Sequence, residues 1–330
     1  MTNRQSRPSF QLARMIEIHH LSKHFGPKVA VDNLSLTVQK GQVLGFLGPN
    51  GAGKSTTMRM ITGYLPPSAG SITIGGVDML DNPNTAKAKI GYLPESAPLY
   101  ADMTVAGFLS FAAELRGLSG AAKKAAVEKA ITTCFLEKVR SQSIDTLSKG
   151  YRHRTCLAQA IIHDPEVLIL DEPTDGLDPN QKDVVRNLIK EMGKTKAIIF
   201  STHILEEVEA CCTRAVIIDQ GKVVADGTPD ELKRRALRAG SVHVKITGPG
   251  AASLAGDLAR LGHAGRIEDP VTADDSFQGT VYPKAKTATG ALTTEIYDLC
   301  RNRNLTLSEL HEEPGRLDDM FRELTSQNQV

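Results

Sequence analysis

Eight consecutive residues, Gly48-Pro49-Asn50-Gly51-Ala52-Gly53-Lys54-Ser55, fit the pattern G-x-x-x-x-G-K-[ST]. Glycines at that spacing let backbone N–H groups turn inward around phosphate oxygens, and a following helix adds its positive N-terminal dipole. Lys54 then reaches the β- and γ-phosphates, and the Ser55 hydroxyl can bind Mg²⁺. Downstream, Val167-Leu168-Ile169-Leu170-Asp171-Glu172 reads as an apolar strand ending in two carboxylates. Neighbouring strand residues point to opposite faces, so the pair can divide the work. Asp171 can hold Mg²⁺ through its shell, while Glu172 can orient and polarise an attacking water. A capped strand end before the turn Pro173-Thr174-Asp175-Gly176 would explain the same carboxylates without chemistry, but the phosphate loop upstream outweighs it.

Such residues need a frame that brings strand ends to one edge. Val43-Leu44-Gly45-Phe46-Leu47, Val167 to Leu170, Ala197-Ile198-Ile199-Phe200 and Ala215-Val216-Ile217-Ile218 are continuous apolar runs without polar alternation. Strands buried on both faces read this way, which predicts an α/β core with a parallel sheet covered by helices. A helix is expected from Lys54 to about Thr62. Another is expected after Asp178, with Asp178 as cap, Pro179 at its start, a stripe of Val184, Leu188 and Met192, and Gly193 at its end. Residues 96–146 break the rhythm as a mainly helical insertion. Thr228-Pro229-Asp230-Glu231 reads as a capping box opening the basic helix Leu232–Arg238, which Gly240 closes. From 241 onward Val242, Val244 and Ile246 alternate with polar residues. There follow the turn Gly248-Pro249-Gly250, a helix over Ala251–Leu261, a strand over Ser276–Tyr282 and helices over Ala291–Arg301 and Leu317–Leu324. Residues 241–330 are expected to form a small α+β domain.

The order Phe25, phosphate loop, Leu147-Ser148-Lys149-Gly150-Tyr151, Asp171-Glu172, Gly176-Leu177-Asp178 and His203 resembles the ATP-binding cassette (ABC) ATPases, over roughly residues 15–240. The Ser148 motif discriminates, because other P-loop GTPases, kinases and RecA-like motors lack it. Nor does Asn180-Gln181-Lys182-Asp183 have the order of the N-K-x-D base reader a GTPase needs. The resemblance implies an ABC ATPase core with a helical subdomain at about 96–163, and ATP and Mg²⁺ as cofactors. It implies nucleotide contacts from Phe25, Gly48, Pro49, Asn50, Gly51, Ala52, Gly53, Lys54, Ser55 and Thr56. Phe25 would stack on adenine, and His203 would bond the γ-phosphate and hold the water. Ser148 and Gly150, at a helix start, would present hydroxyl, N–H groups and dipole to ATP held by a second copy. Asp178 would act across that interface, so the active form is expected to be a head-to-tail dimer enclosing two ATP molecules.

Two residues depart from the family pattern. Lys149 replaces a glycine, and Tyr151 the glutamine, of the usual L-S-G-G-Q; Ser148 and Gly150 remain. Glu95, in Ile90-Gly91-Tyr92-Leu93-Pro94-Glu95, stands where the family usually has glutamine, and a carboxylate is a harder oxygen ligand for Mg²⁺. The run from Gly91 through Pro98-Leu99-Tyr100 and Met103-Thr104-Val105, with Ser148-Lys149-Gly150 and the ending Arg316 to Phe321, resembles ATPases of ABC-2-type exporters, especially the gliding-motility-associated branch. That implies a separate transmembrane permease as partner, docking near 95–115, and a place on the cytoplasmic face of the membrane. The alternative is a soluble ABC ATPase acting on ribosomes or DNA; one phosphate loop and no sustained heptads argue against it. A third reading makes 241–330 a ligand- or partner-binding regulator of the ATPase.

Lys+Arg 39 against Asp+Glu 38 leaves a net charge of +1, so no global field draws the chain to nucleic acid or acidic lipid. No nucleic-acid partner is expected. No apolar run approaches the ~20 residues that cross a bilayer. Residues 1–14 lack a signal-peptide core and read as a disordered leader or misassigned start. Cys134, Cys156, Cys211, Cys212 and Cys300 form no CxxC pair and leave an odd count, which suits free thiols in a reducing compartment. Alternation should send His19 and His20 to opposite faces, which discounts a metal cluster with His24. Asp274-Asp275 reads as loop, and the basic run Lys233, Arg234, Arg235, Arg238 as a solvated face.

Overall fold

The computed structural model describes residues 13–96, 98–273, 275–285 and 290–326. The chain divides into two compact units, one ending at Asp226 and one beginning at Gly227.

The first unit opens with β1 (Arg14–Phe25), β2 (Lys28–Gln39) and β3 (Val43–Leu47), then α1 (Lys54–Ile61), β4 (Ala69–Ile74), β5 (Val77–Asp78), α2 (Pro83–Ala88) and β6 (Ile90–Leu93). The insertion contributes α3 (Val105–Leu115), α4 (Gly120–Thr133) and α5 (Lys149–Ile161). The core resumes with β7 (Val167–Asp171), α6 (Pro179–Gly193), β8 (Ala197–Thr202), α7 (Leu205–Cys211), β9 (Arg214–Asp219) and β10 (Lys222–Gly227).

Two sheets result, β2-β1-β4-β5 and β10-β9-β3-β8-β7-β6. In the larger sheet β9, β3, β8, β7 and β6 run parallel. Alternate side chains explain the continuous apolar runs. Leu44, Phe46, Val167, Ile169, Ala197 and Ile199 enter a core shared with the smaller sheet, which is antiparallel. Leu168, Leu170, Ile198 and Phe200 enter a second core with α3, α4, α5 and α6. Burying one such side chain contributes roughly 1.5–3 kcal/mol, so a polar residue on either face would cost the sheet heavily.

The helix after Asp178 forms, with Asp178 accepting from Gln181 N at 3.0 Å and Pro179 at its first turn. Its fully buried stripe is Val185 and Ile189, one residue on from Val184 and Leu188, which pack only partly. β1 begins at Arg14, inside the span expected to be a leader; residues 1–12 of that span lie outside the described residues. His20 takes a left-handed backbone, φ 49°, where the β1 register slips, and both His19 and His20 are exposed.

The second unit runs α8 (Pro229–Arg235), β11 (Val242–Thr247), α9 (Ala255–Leu258), β12 (Ala264–Ala273), β13 (Ser276–Pro283), α10 (Ala291–Asn302), β14 (Thr306–Glu312) and α11 (Leu317–Ser326). The expected capping box is present at Thr228 and Glu231, but its helix starts at Pro229 and ends at Arg235. Where the residues alone set a boundary at 240/241, the chain parts at 226/227, because α8 packs on α11 within this unit. The helix expected over 251–261 is a 3₁₀ turn followed by the short α9. From β11 to β14 the order is βαββαβ, with antiparallel sheet order β12-β13-β11-β14, the ferredoxin-like arrangement. Of the pair Asp274-Asp275, Asp274 lies outside the described residues.

Candidate active site

Three adjacent parallel strands, β3, β8 and β7, end at one edge of the larger sheet, the place where open α/β sheets bind ligands. Each delivers one part of the site: the phosphate loop after β3, His203 after β8, and Asp171 with Glu172 at the end of β7. The loop geometry depends on glycine. A side chain at Gly48 would come within 2.5 Å of the Ile218 carbonyl, and Gly53 combines φ 107° with the Ala30 carbonyl at 2.5 Å from a would-be Cβ.

Lys54 is 6% exposed and donates to the carbonyls of Gly48 at 2.7 Å and Pro49 at 3.3 Å. Burial pushes its pKa down, opposed by the charges of Glu172, Asp171 and Glu95. Ala52 N donates to Pro49 O at 3.2 Å and closes the loop's own turn. Ser55 Oγ lies 3.4 Å from Asp171 Oδ1, and Ser201 Oγ donates to that same oxygen at 2.5 Å. Hydroxyl and carboxylate oxygens so placed suit a hard cation such as Mg²⁺.

The side chains of Asp171 and Glu172 have different partners, and the backbone as well as the pleat sets them apart. Asp171 is the last strand residue and is 2% exposed. Glu172 turns left-handed, φ 49°, and its N–H is held by Ser201 O at 3.2 Å and Ser201 Oγ at 3.1 Å. One carboxylate oxygen of Glu172 then lies 3.8 Å from Lys54 Nζ and the other 3.0 Å from His203 Nδ1. Burial raises the Glu172 pKa against the lowering pull of His203 and Lys54. Nearby, burial with the Asp171 charge pushes the Tyr92 phenol up to about 12, so it stays protonated.

A pocket of about 490 Å³ opens over Lys54, Ser55 and Glu172, while Asp171 and His203 do not line it. Phe25, Asn50, Gly51, Gly53, Lys54, Ser55, Thr56, Glu95 and Glu172 all face it, as do Lys28 and Ala30, which the sequence reading missed. Phe25 is 49% exposed at the rim, with Lys23 Nζ 5.3 Å from its ring centroid.

The ABC transporter model matches residues 31–175. Over 223 residues, 67% of this chain and 71% of the relative, the chain is 39% identical to the linearmycin resistance ATP-binding protein LnrL of Bacillus subtilis. The chain belongs to the ABC transporter ATP-binding family. Over 244 residues, 74% and 80% of the two chains, it is 36% identical to the Nod factor export ATP-binding protein I of Burkholderia lata. A solved ATP-binding subunit of an ABC transporter superposes with a TM-score of 0.62 at 32% identity, covering 67% of this chain and 92% of that one. A bacterial ABC transporter cassette solved as a dimer, 21% identical with a TM-score of 0.61 over 65% and 98% of the chains, shares the fold. As an ABC ATPase the chain converts ATP and water to ADP and phosphate.

Ser148, Gly150 and Asp178 do not line that pocket; they gather elsewhere on the first unit. Ser148 is exposed and caps α5, accepting from Tyr151 N at 3.4 Å. The Gln181 carboxamide lies over Gly150, where a Cβ would displace it, and Gln181 N is the group that Asp178 caps. Lys149 turns away from the helix start toward Asp175, 3.5 Å from Oδ2. Reading the sequence also missed Ser201, although it directly precedes Thr202-His203 at the strand end.

Proposed function

We propose that this chain is the ATP-hydrolysing subunit of an ABC-2-type exporter, resembling the gliding-motility-associated branch, and that it powers a separate transmembrane permease from the cytoplasmic face of the membrane. The observation that carries the hydrolytic reading is the bridge Lys54–Glu172–His203 beside the Ser55–Asp171 pair. The two relatives' names, resistance and export, support the direction of transport. Among the described residues no helix is long and apolar enough to cross a membrane, and in this reading a partner permease provides the path for cargo.

In this reading Phe25 stacks on adenine and loop N–H groups from Gly48 to Thr56 surround the phosphates. Lys54 meets the β- and γ-phosphates. Ser55 and Asp171, with Glu95 at the rim, hold Mg²⁺, which supplies positive charge against the phosphate oxygens. Glu172 accepts a hydrogen bond from the attacking water and aligns it, and His203 bonds the γ-phosphate. Ser148, Gly150 and Asp178 act on the ATP of a second copy, so two chains sandwich two nucleotides head to tail.

Affinity capture of Glu172→Gln with ATP from solubilised membranes of the native cell tests the proposal. A multi-span membrane protein at matched stoichiometry is the expected result. Ribosomal or soluble partners alone would overturn the exporter reading.

A further inference from the structure

Glu207, on α7, touches neither the pocket nor the Ser148 cluster, yet it is 1% exposed and both its carboxylate oxygens are engaged. Thr174 Oγ1 donates to Oε1, and Thr202 Oγ1 donates to Oε2 at 2.8 Å. Lys182 Nζ, on the first turns of α6, lies 3.8 Å from Oε1. A buried carboxylate is costly unless its lone pairs are met, and here two buried hydroxyls and one cation meet them.

The partners matter because of where they sit. Thr202 precedes His203, and its hydroxyl, which donates a hydrogen bond to Glu207, also accepts one from Ile204 N at 3.0 Å. The backbone on both sides of His203 is thereby fixed by one oxygen. Thr174 lies in the turn between Glu172 and Asp178, and Lys182 lies on the helix that Asp178 caps.

We propose that Glu207 is a positioning residue for ATP hydrolysis, which anchors the His203 loop to the 173–178 turn and the start of α6 and acts by holding His203 against Glu172. The inference rests on the reading above in which Glu172 and His203 act on water and γ-phosphate. Hydrogen bonds to a buried charge are short and directional, so this carboxylate sets hydroxyl orientations that a neutral group of the same shape sets less firmly.

Single-turnover phosphate release by the full chain with ATP and Mg²⁺ tests it in a cycle of Glu207→Gln, His203→Ala and the double variant. Glu207→Gln should lower the catalytic rate about tenfold with the KM for ATP changed less than about twofold, because the pocket lining is untouched. On the His203→Ala background the same change should cost almost nothing more, since its route of action is already gone. An additive loss, or an unchanged rate in Glu207→Gln while His203→Ala is impaired, would overturn the positioning role alone. Wild-type rates in His203→Ala would overturn both this role and the hydrolytic reading beneath it. Should Glu207→Gln fail to fold, Thr202→Val removes only the relay hydroxyl and should show the same rate loss at unchanged KM; an unchanged rate there would overturn the proposal.

Discussion

Glu172 carries a left-handed backbone that costs of order 1–3 kcal/mol for a non-glycine residue, held by two hydrogen bonds from its N–H to Ser201. That strain aims its side chain between Lys54 and His203, away from the oxygen set of Ser55 and Asp171. Across the pocket Glu95 is exposed, yet near enough for its charge to raise the Lys54 pKa against burial. If Glu95 ligates Mg²⁺ directly, Glu95→Gln should need roughly tenfold more Mg²⁺ for half-maximal ATP turnover, since a charged oxygen is exchanged for a neutral one. A titration of phosphate release against Mg²⁺ reads this, and a superimposable curve removes the direct ligand.

At the scale of elements, α5 and α6 meet where Gly150 admits the Gln181 side chain. Gly150→Ala must displace the Gln181 carboxamide, the end of a flexible side chain, and not the helix backbones, so it should cost less than about 1 kcal/mol. Denaturant midpoints of Gly150→Ala should stay close to the parent's, and a large drop would show that the two helices had to move. α5 also buries His153, whose ring nitrogens have no partner among the described residues; burial, reinforced by Lys149, holds its pKa down at about 4. The unfolded ring titrates near 6.5, so between 6.5 and 4 the unfolded chain binds the extra proton. Stability from this site is therefore complete above about pH 6.5 and falls toward pH 4, by about 2 kcal/mol at pH 5. Thermal midpoints between pH 7 and 5 should drop, less steeply in His153→Leu; His163, also held near 4, adds slope of the same sign.

Elements buried on both faces were legible in the residues, because β3, β7 and β8 carry apolar side chains to two cores at once. The phosphate loop and the carboxylate pair were legible for the same reason, each being tied to such a strand end. Elements exposed on one side were harder to read. β12 includes Pro270 beside Asp269 at φ 50° on a sheet edge, and β14 slips register against β11, so neither keeps a clean alternation. Ser201, Thr202 and Glu207 gave no spacing signal, since their role comes from contacts across three elements.

As a whole molecule, the chain places every residue assigned to ATP, from Phe25 to His203, within its first unit, while the second has its own core of Val242, Val244, Ile246, Phe277 and their neighbours. The pocket cluster and the Ser148 cluster are separate in one chain, and a head-to-tail pair would unite them. Glu172→Gln should let ATP close that pair without opening it again. The mass of Glu172→Gln in solution, measured by sedimentation with and without ATP and Mg²⁺, tests this most directly. The expected result is a monomer that doubles its mass with ATP bound and does not do so in Glu172→Gln also carrying Ser148→Arg. A monomer that holds ATP without doubling would contradict the head-to-tail pairing.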